Sequence, residues 1–509
     1  MKNGARICRH FLVAVFFLLL MIAARRAKTV PPSIGNRIVI NLKAPTTPFP
    51  HFWERMFGSG RAVLALRASY QRDLREVHHA TRFRYVRFHG IFDRGVGVYH
   101  ETADGVPIYN FSYVDQIYDS LLRNHVRPFV ELSFMPPALA APPIVHQMFW
   151  YRPVVSPPKS WTAWDGLIRH FAGHLVRRYG IAEVSKWYFE VWNEPNLDFW
   201  AGVPKQSTYF HLYDHTARTL KQVSPLWRVG GPATAQAAWI PAFLDHVARG
   251  HVPVDFVSTH IYGQDPPKDV FGIDEKVPIT NMVCMAAAKV HKEVKKSPLP
   301  DLPIFFTEFN ATFRNDPQIT DSLFMGPWLA DTIRQCDGFL NMMSYWTFSD
   351  VFEEQGVVKR PFYGGFGLIA EDGLPKPSFN AFKLLHRLGT ERIAVKSDSA
   401  IVTRRPDGTL VMAVWNLVLP RERGTTKKVT VVISTLKGNH VAWISRLDAT
   451  HGSLLAAYAA MGSPVYPARK QIAELRRAAE LPPPETILVR QGEFTIRIPP
   501  DGLDLIEVQ

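Results

Sequence analysis

The most regular stretch of the chain lies at residues 160–179. There Trp164, Leu167, Ile168, Phe171 and Leu175 recur at i, i+3, i+4, i+7 and i+11. That spacing is one face of a helix, and Gly180 stands where a helix C-cap belongs. Short apolar runs alternate with helical patterns on both sides of it. A first strand near 54–58 precedes a helix at 61–79. Strand 82–89 (RFRYVRFH) precedes a helix at 113–124, and strand 127–132 precedes the helix at 160–179. The alternation continues with strand 187–193 and helix 205–222, strand 227–231 and helix 238–249, strand 254–260 and helix 280–296. Strand 303–308 with helix 320–335 and strand 339–346 with a helix near 377–387 complete eight units. Strands alternating with helices predict a parallel sheet, and eight such units fit a closed (β/α)8 TIM barrel.

The texture changes after residue 390. Residues 404–416 read as a hairpin around Asp407-Gly408, and 427–434, 440–447, 493–498 and 503–508 as further strands. Short strands with turns predict a β-sandwich, interrupted by a helical insertion at 453–482 that Pro482, Pro483 and Pro484 close. The expected organisation is an α/β protein in four parts. Residues 1–27 form a signal peptide or N-terminal anchor, 28–49 a linker with a short strand at 37–42, 50–390 the barrel and 391–509 the sandwich.

Composition sharpens this picture at three points. Residues 11–24 are apolar and follow basic residues, the layout of an export signal. The run is short for a full span, which needs roughly 20 residues, so export with cleavage is expected, with an uncleaved membrane anchor as the alternative. The net charge is +14, but six basic residues and no acid fall in the first 28 positions. No basic block carries interleaved aromatics, which argues against nucleic acid as a partner. Of three cysteines, Cys8 precedes the apolar run. Cys284 and Cys336 could pair, but each sits in a helical pattern, and free buried thiols are expected. No Cys/His ligand spacing predicts a metal site. The pair His211 and His215 lies on an outer helix and is expected on a solvated face.

Two strands end on a carboxylate. The stretch WYFEVWNEPNLDFW (187–200) presents Glu194 where Pro195 stops the ladder, and LPIFFTEFN (302–310) presents Glu308. A carboxylate at the end of a buried strand is costly unless paired or used. Barrel enzymes place their sites at the C-terminal strand ends, and Glu194 ends the fourth predicted strand and Glu308 the seventh. Arg87 and His89 end the second, His260 and Tyr262 the sixth, and Trp346 the eighth, before Glu353 and Glu354 in the loop. Two carboxylates flanking a glycosidic bond can hydrolyse it by either stereochemical route. Glu190 shares the strand parity of Glu194 and is expected as a buried structural acid. Trp187, Trp192 and Trp200 are expected mainly in packing.

The stretch 187–200 resembles the acid/base motif of glycoside hydrolase family 39, the family of β-xylosidases and α-L-iduronidases. The Asn193-Glu194-Pro195 core alone is shared by a wider clan of barrel glycosidases. Further segments resemble family 39 itself: RFHGIFD (87–93), VELSFMP (130–136), VGGPAT (229–234), DFVSTHIYG (255–263), FFTEFN (305–310), YWTFSDVFEE (345–354) and PFYGGFGLI (361–369). The resemblance implies Glu194 as acid/base, Glu308 as nucleophile and a retaining outcome. It implies that Asn193 holds the sugar's 2-hydroxyl and that Arg87 pairs with the nucleophile's charge. His89, His260 and Tyr262 would contact sugar or nucleophile, and Glu353 and Glu354 would bind hydroxyls. It also implies that the strand at 37–42 joins the sandwich, that no cofactor is needed, and that a homo-oligomer is admissible.

The expected function is therefore an exported retaining glycosidase acting on a carbohydrate, β-xylosidase-like and exo-acting. Two acids in the loop would repel a substrate carboxylate and so favour a neutral pentose, although Lys359 and Arg360 lie close by. Two other readings stay open. One is the same fold acting on an α-L-iduronide, β-glucoside or α-L-arabinoside. The other is an inactive carbohydrate-binding or surface protein, which the presence of both glutamates opposes.

Overall fold

The computed structural model describes residues 36–509. The export segment at 11–24, Cys8 and residues 28–35 of the predicted linker lie outside the described residues. Eight parallel strands close a barrel: β1 (Met56–Gly58), β2 (Tyr85–Phe88), β3 (Arg127–Leu132), β4 (Tyr188–Val191), β5 (Arg228–Thr234), β6 (Phe256–Tyr262), β7 (Ile304–Asn310) and β8 (Met342–Tyr345). Closure runs through Ser344 opposite Met56 and Tyr345 opposite Phe57. The strands are buried on both faces, as parallel strands under helices must be. The helix read from its spacing runs Trp161–Tyr179. Ser160 accepts from the Ala163 N–H at its start, and Gly180 follows at φ 79°. The helix expected at 61–79 is instead a 3-10 turn, Ala62–Leu66, followed by the helix Ala68–Thr81.

The ends of the chain form one continuous ten-stranded sheet. Strand Arg37–Ile40 pairs in parallel with Lys427–Ile433 at one edge, and Thr46–Pro48 pairs with Glu391–Ile393 at the other. Burial shows how this sheet folds over. Glu493–Ile498 alternates exposed and buried, so only one of its faces is covered. Leu410–Trp415 is buried throughout. Its Met412 and Val414 pack with Val431 and Ile496, and its Val411 and Trp415 pack into the barrel's core. One half of the sheet thus lies between the barrel and the other half, which makes a sandwich. The strands Glu485–Arg490 and Glu391–Ile393 escaped the sequence reading. The first is largely exposed and the second spans three residues, so neither leaves a clear hydrophobic period. Within the insertion at 453–482 are helices Leu455–Ala460 and Arg469–Ala478, and Asn380 donates to the Gly452 and Ala479 carbonyls at either end.

The cysteines require a correction. Cys284 and Cys336 are not free thiols but a disulfide, with their Cα atoms 4.9 Å apart. They lie on the neighbouring helices Met282–Lys296 and Met325–Cys336. A helical period shows which face is buried, but not that two faces 52 residues apart share one seam.

Candidate active site

The barrel interior is layered by strand parity. Met56, Tyr85, Phe129, Phe256, Phe305 and Met342 pack as one apolar cluster, with Tyr188 against it. Two residues further along each strand stand Arg87, Glu131, Glu190, Ser258, Thr307 and Ser344, all buried. An aromatic plug thus underlies a polar layer, and the predicted site stands on that layer.

Arg87 organises it. Its Nε donates to Glu190 Oε2 at 2.6 Å, Nη1 to Glu308 Oε1 at 2.7 Å and Nη2 to Asn193 Oδ1 at 3.0 Å, while Nη2 lies 2.8 Å from Glu131 Oε2. Burial would lower the guanidinium's pKa, but Glu131, Glu190 and Glu308 together hold it above its usual value, so Arg87 stays charged. Glu131 also accepts from Ser133 Oγ and lies 2.7 Å from His89 Nδ1. Tyr262 donates its hydroxyl to Glu308 Oε2 at 2.6 Å. His260 Nδ1 lies 3.0 Å from Glu194 Oε1 and 3.5 Å from Glu308 Oε1. One oxygen of Glu194, one of Glu308 and a nitrogen of His260 all lie within 4.8 Å of one another. That trio could ligate a cation, but the Arg87 guanidinium already places a positive charge against Glu308.

Both glutamates reach this point because their strands stop being regular. Thr307 and Glu308 are adjacent, and an unbroken strand would send them to opposite faces. Yet Thr307 donates to Glu190 at 2.8 Å and Glu308 meets Arg87, so both point inward. The register with β6 slips here: Thr259 pairs with Phe306 and His260 with Glu308, leaving Thr307 as the extra residue. Such a bulge re-aims a side chain beside a site. After β4, Trp192 at φ 73° and Glu194 at φ 43° adopt the left-handed region. Positive φ in such residues costs on the order of 1–3 kcal/mol each. The turn buries Trp192 against Trp200 and lets Asn193 reach the same arginine as Glu190. The Glu194 N–H is held by the Ala233 carbonyl at 2.8 Å.

Five carboxyl groups, from Glu131, Glu190, Glu194, Glu308 and Glu354, share this space with one permanent cation. Burial first, and the charges of Glu308 and Asp265 next, raise the Glu194 pKa well above the carboxylate range. Glu354 is raised in the same way, by burial and then by Glu308 and Glu194. Glu131 goes the other way: burial would raise it, but Arg87 and His89 hold it below its usual value. His260 is driven well below its usual value by burial, then by Arg87 and His89, and is neutral. The surroundings therefore favour the protonated form of Glu194, directly beside Glu308.

The remaining predicted residues divide. Trp346 stacks obliquely near the His89 ring at 4.8 Å and clusters with Tyr262, Phe352 and Phe366 as an aromatic wall. Glu354 Oε1 lies 3.6 Å from His89 Nε2, inside the site. Glu353 does not join it. Its oxygens are taken by Arg61 at 3.1 Å and Arg67 at 2.6 Å, because neighbouring loop residues point opposite ways. Outside the site, His215 binds Asp165 at 2.9 Å and is half-buried under Trp161, where a solvated face was expected.

The sequence profile of the Glycosyl hydrolases family 39 matches residues 36–490. The chain belongs to that family. A β-xylosidase of Geobacillus stearothermophilus is 39% identical over 443 residues, 84% of this chain and 86% of the relative. A β-xylosidase of Caldicellulosiruptor saccharolyticus is 36% identical over 456 residues, 87% of this chain and 92% of the relative. The crystal structure of a monomeric β-xylosidase from Caulobacter crescentus CB15 superposes with a TM-score of 0.84 at 32% identity, covering 93% of this chain and 99% of that one. This family 39 protein is a glycosidase.

Sequence reasoning passed over several groups that shape the family 39 site. Glu131 carried the signal that singled out Glu190, an acid inside an apolar strand. Thr307 gave none, because only the bulge turns it inward. Asp265 lies in a loop and holds the Tyr262 N–H at 2.7 Å. Gly58 matters by its lack of a side chain: a Cβ there would stand 2.2 Å from Trp346 Cε3, so the indole lies directly on the backbone of β1.

Proposed function

We propose that the protein is a retaining, exo-acting β-xylosidase. The observation that carries the retaining mechanism is the approach of Glu194 and Glu308, with one oxygen of each within 4.8 Å. Retaining glycosidases hold their carboxyl groups about 5–5.5 Å apart, whereas inverting ones leave about 6.5–9.5 Å for a water. In the first step Glu308 attacks the anomeric carbon while Glu194 gives its proton to the leaving oxygen. In the second Glu194 takes a proton from water, which attacks the same carbon and frees Glu308. Arg87 and Tyr262 grip one nucleophile oxygen each, and neutral His260 orients the two carboxyl groups. The raised pKa of Glu194 suits its first task, since a general acid must arrive protonated. Xylose as the sugar rests on the two β-xylosidase relatives.

The test is a panel of aryl glycosides followed by proton NMR. β-Xyloside is expected as the best substrate, with the β-anomer formed first. An α-anomer formed first would overturn the two-step mechanism, and faster release from an iduronide or glucoside would overturn the sugar. Xylo-oligosaccharides should yield xylose from the first minutes; longer fragments would overturn exo action. Export is part of the same reading. It rests on the apolar run at 11–24 and on the Cys284–Cys336 bond, which suits an oxidising compartment. Activity confined to the cytosolic fraction of the native cell would refute it.

A further inference from the structure

A second cluster, built around a buried glutamate, lies at the far end of the barrel, ahead of β1. His51 Nδ1 lies 2.6 Å from Glu54 Oε1, and His386 Nδ1 lies 2.8 Å from the same oxygen. One ligand atom from each of the three residues lies within 4.8 Å of the other two. Glu54 is 5% exposed, and among the described residues no lysine or arginine pairs with it. Its second oxygen is buried with no hydrogen-bond partner, and so is His51 Nε2. A buried carboxylate with an idle oxygen is costly, and two imidazoles are weak compensation for it. We propose that His51, Glu54 and His386 form a binding site for a divalent cation of the zinc class.

The donor set supports that class. Two imidazole nitrogens and one carboxylate suit zinc, with water in the fourth position, better than the oxygen-only sites of calcium or magnesium. Ligand atoms around a tetrahedral zinc stand about 3.4 Å apart, from bond lengths of about 2.1 Å. The pairs at 2.6 and 2.8 Å need open by less than an ångström. His51 is held in place by stacking on Trp53 at 4.5 Å. His386, 34% exposed, leaves the route by which an ion and its water would enter.

The location gives the ion a role. Strand Thr46–Pro48 belongs to the sandwich, and the chain then passes His51 and Glu54 into β1. His386 ends the helix Pro377–Leu385, and the chain then passes back to sandwich strand Glu391–Ile393. These crossings run side by side, joined by Phe49 N–H to the Thr390 carbonyl at 2.7 Å. A cation would clamp both connections between barrel and sandwich, at the opposite rim from Glu194 and Glu308.

The full-length protein, stripped with chelator, is titrated with Zn2+ by calorimetry and with Co2+ by visible absorption. One ion per chain is expected, with the visible band of a four-coordinate cobalt site and a zinc-dependent rise in Tm. His386→Ala is expected to weaken binding at least ~10-fold and to abolish the Tm rise, while turnover of an aryl glycoside stays at the wild-type level. Glu54→Gln should do the same; if it fails to fold, the half-exposed His386 carries the test. Absence of saturable binding up to millimolar zinc would overturn the proposal. So would one-ion binding that His386→Ala leaves unchanged, because the ion would then sit elsewhere, for instance at Glu194, His260 and Glu308.

Discussion

The lower and upper halves of the barrel interior are built on the same strands and do opposite things. Below, Phe129, Phe256 and Phe305 pack with Tyr85 and Tyr188 at centroid distances of 5.0–5.6 Å, mostly edge to face, and the Arg228 guanidinium caps them, 3.6 Å over the Tyr188 ring. Two residues above, Arg87 is surrounded by Glu131, Glu190 and Glu308. The lower ring obeys the period of two without exception. The upper ring breaks it at the β7 bulge, after β4 and at Ala233 of β5, and the first two breaks deliver Glu308 and Glu194. Burial explains the difference. An aromatic ring gains roughly 1.5–3 kcal/mol by leaving water, so regular strands suffice below. Buried carboxyl groups lose by the same move unless hydrogen-bonded, and above them the backbone bends so that Arg87, Tyr262 and Thr307 reach the carboxylates. The lower half stabilises; the upper half spends some of that stability on function.

Replacing a member of each half should separate the two roles. Glu308→Ala is expected to remove the nucleophile, with a loss of kcat on the order of 10⁴–10⁶-fold and an unfolding midpoint close to wild type. Turnover of an aryl β-xyloside beside thermal melts checks this, and near wild-type kcat would mean that another group attacks. Phe305→Ala below should do the reverse. It should cost about 3–5 kcal/mol of stability, read by chemical denaturation, with kcat per folded molecule kept within a small factor. If kcat collapses while the fold survives, the two halves are not independent.

Smaller effects test how the upper half is set. Gly58→Ala drives a methyl into Trp346 and is expected to raise KM several-fold more than it lowers kcat, because the indole is wall and not reactant. Equal falls in kcat and kcat/KM would refute that view. The smallest effect is expected from Asp265→Asn. Burial pushes the Asp265 carboxyl up to about 7, and its charge helps to hold the proton on Glu194. Without that charge Glu194 gives up its proton sooner, so the basic limb of the kcat/KM profile should move to lower pH. A limb that stays in place or moves up would remove Asp265 from the network.

Much of this was legible in the chain. The spacing of Trp164, Leu167, Ile168, Phe171 and Leu175 predicts its helix because the burial period is a local property. The strand-end positions of Glu194 and Glu308 are legible for the same reason, and Pro195 marks one of them. Glu353 and Glu354 show the limit. Two adjacent acids look equivalent in sequence, and only Arg61 and Arg67, nearly 300 positions away, decide that Glu353 leaves the site.

By itself, then, the sequence determined the eight alternating units, the strand-rich C-terminal region and the two glutamates, since each is written in short-range periodicity and residue type. Tertiary structure alone decided the rest. The Cys284–Cys336 bond needs two helix faces to meet. The meeting of His51 and Glu54 with His386 joins positions 332 residues apart at their widest hydrogen bond. The inward turn of both Thr307 and Glu308 depends on a slip against a neighbouring strand. Each of these is a contact between surfaces that no local period describes, so it exists only once the barrel has closed.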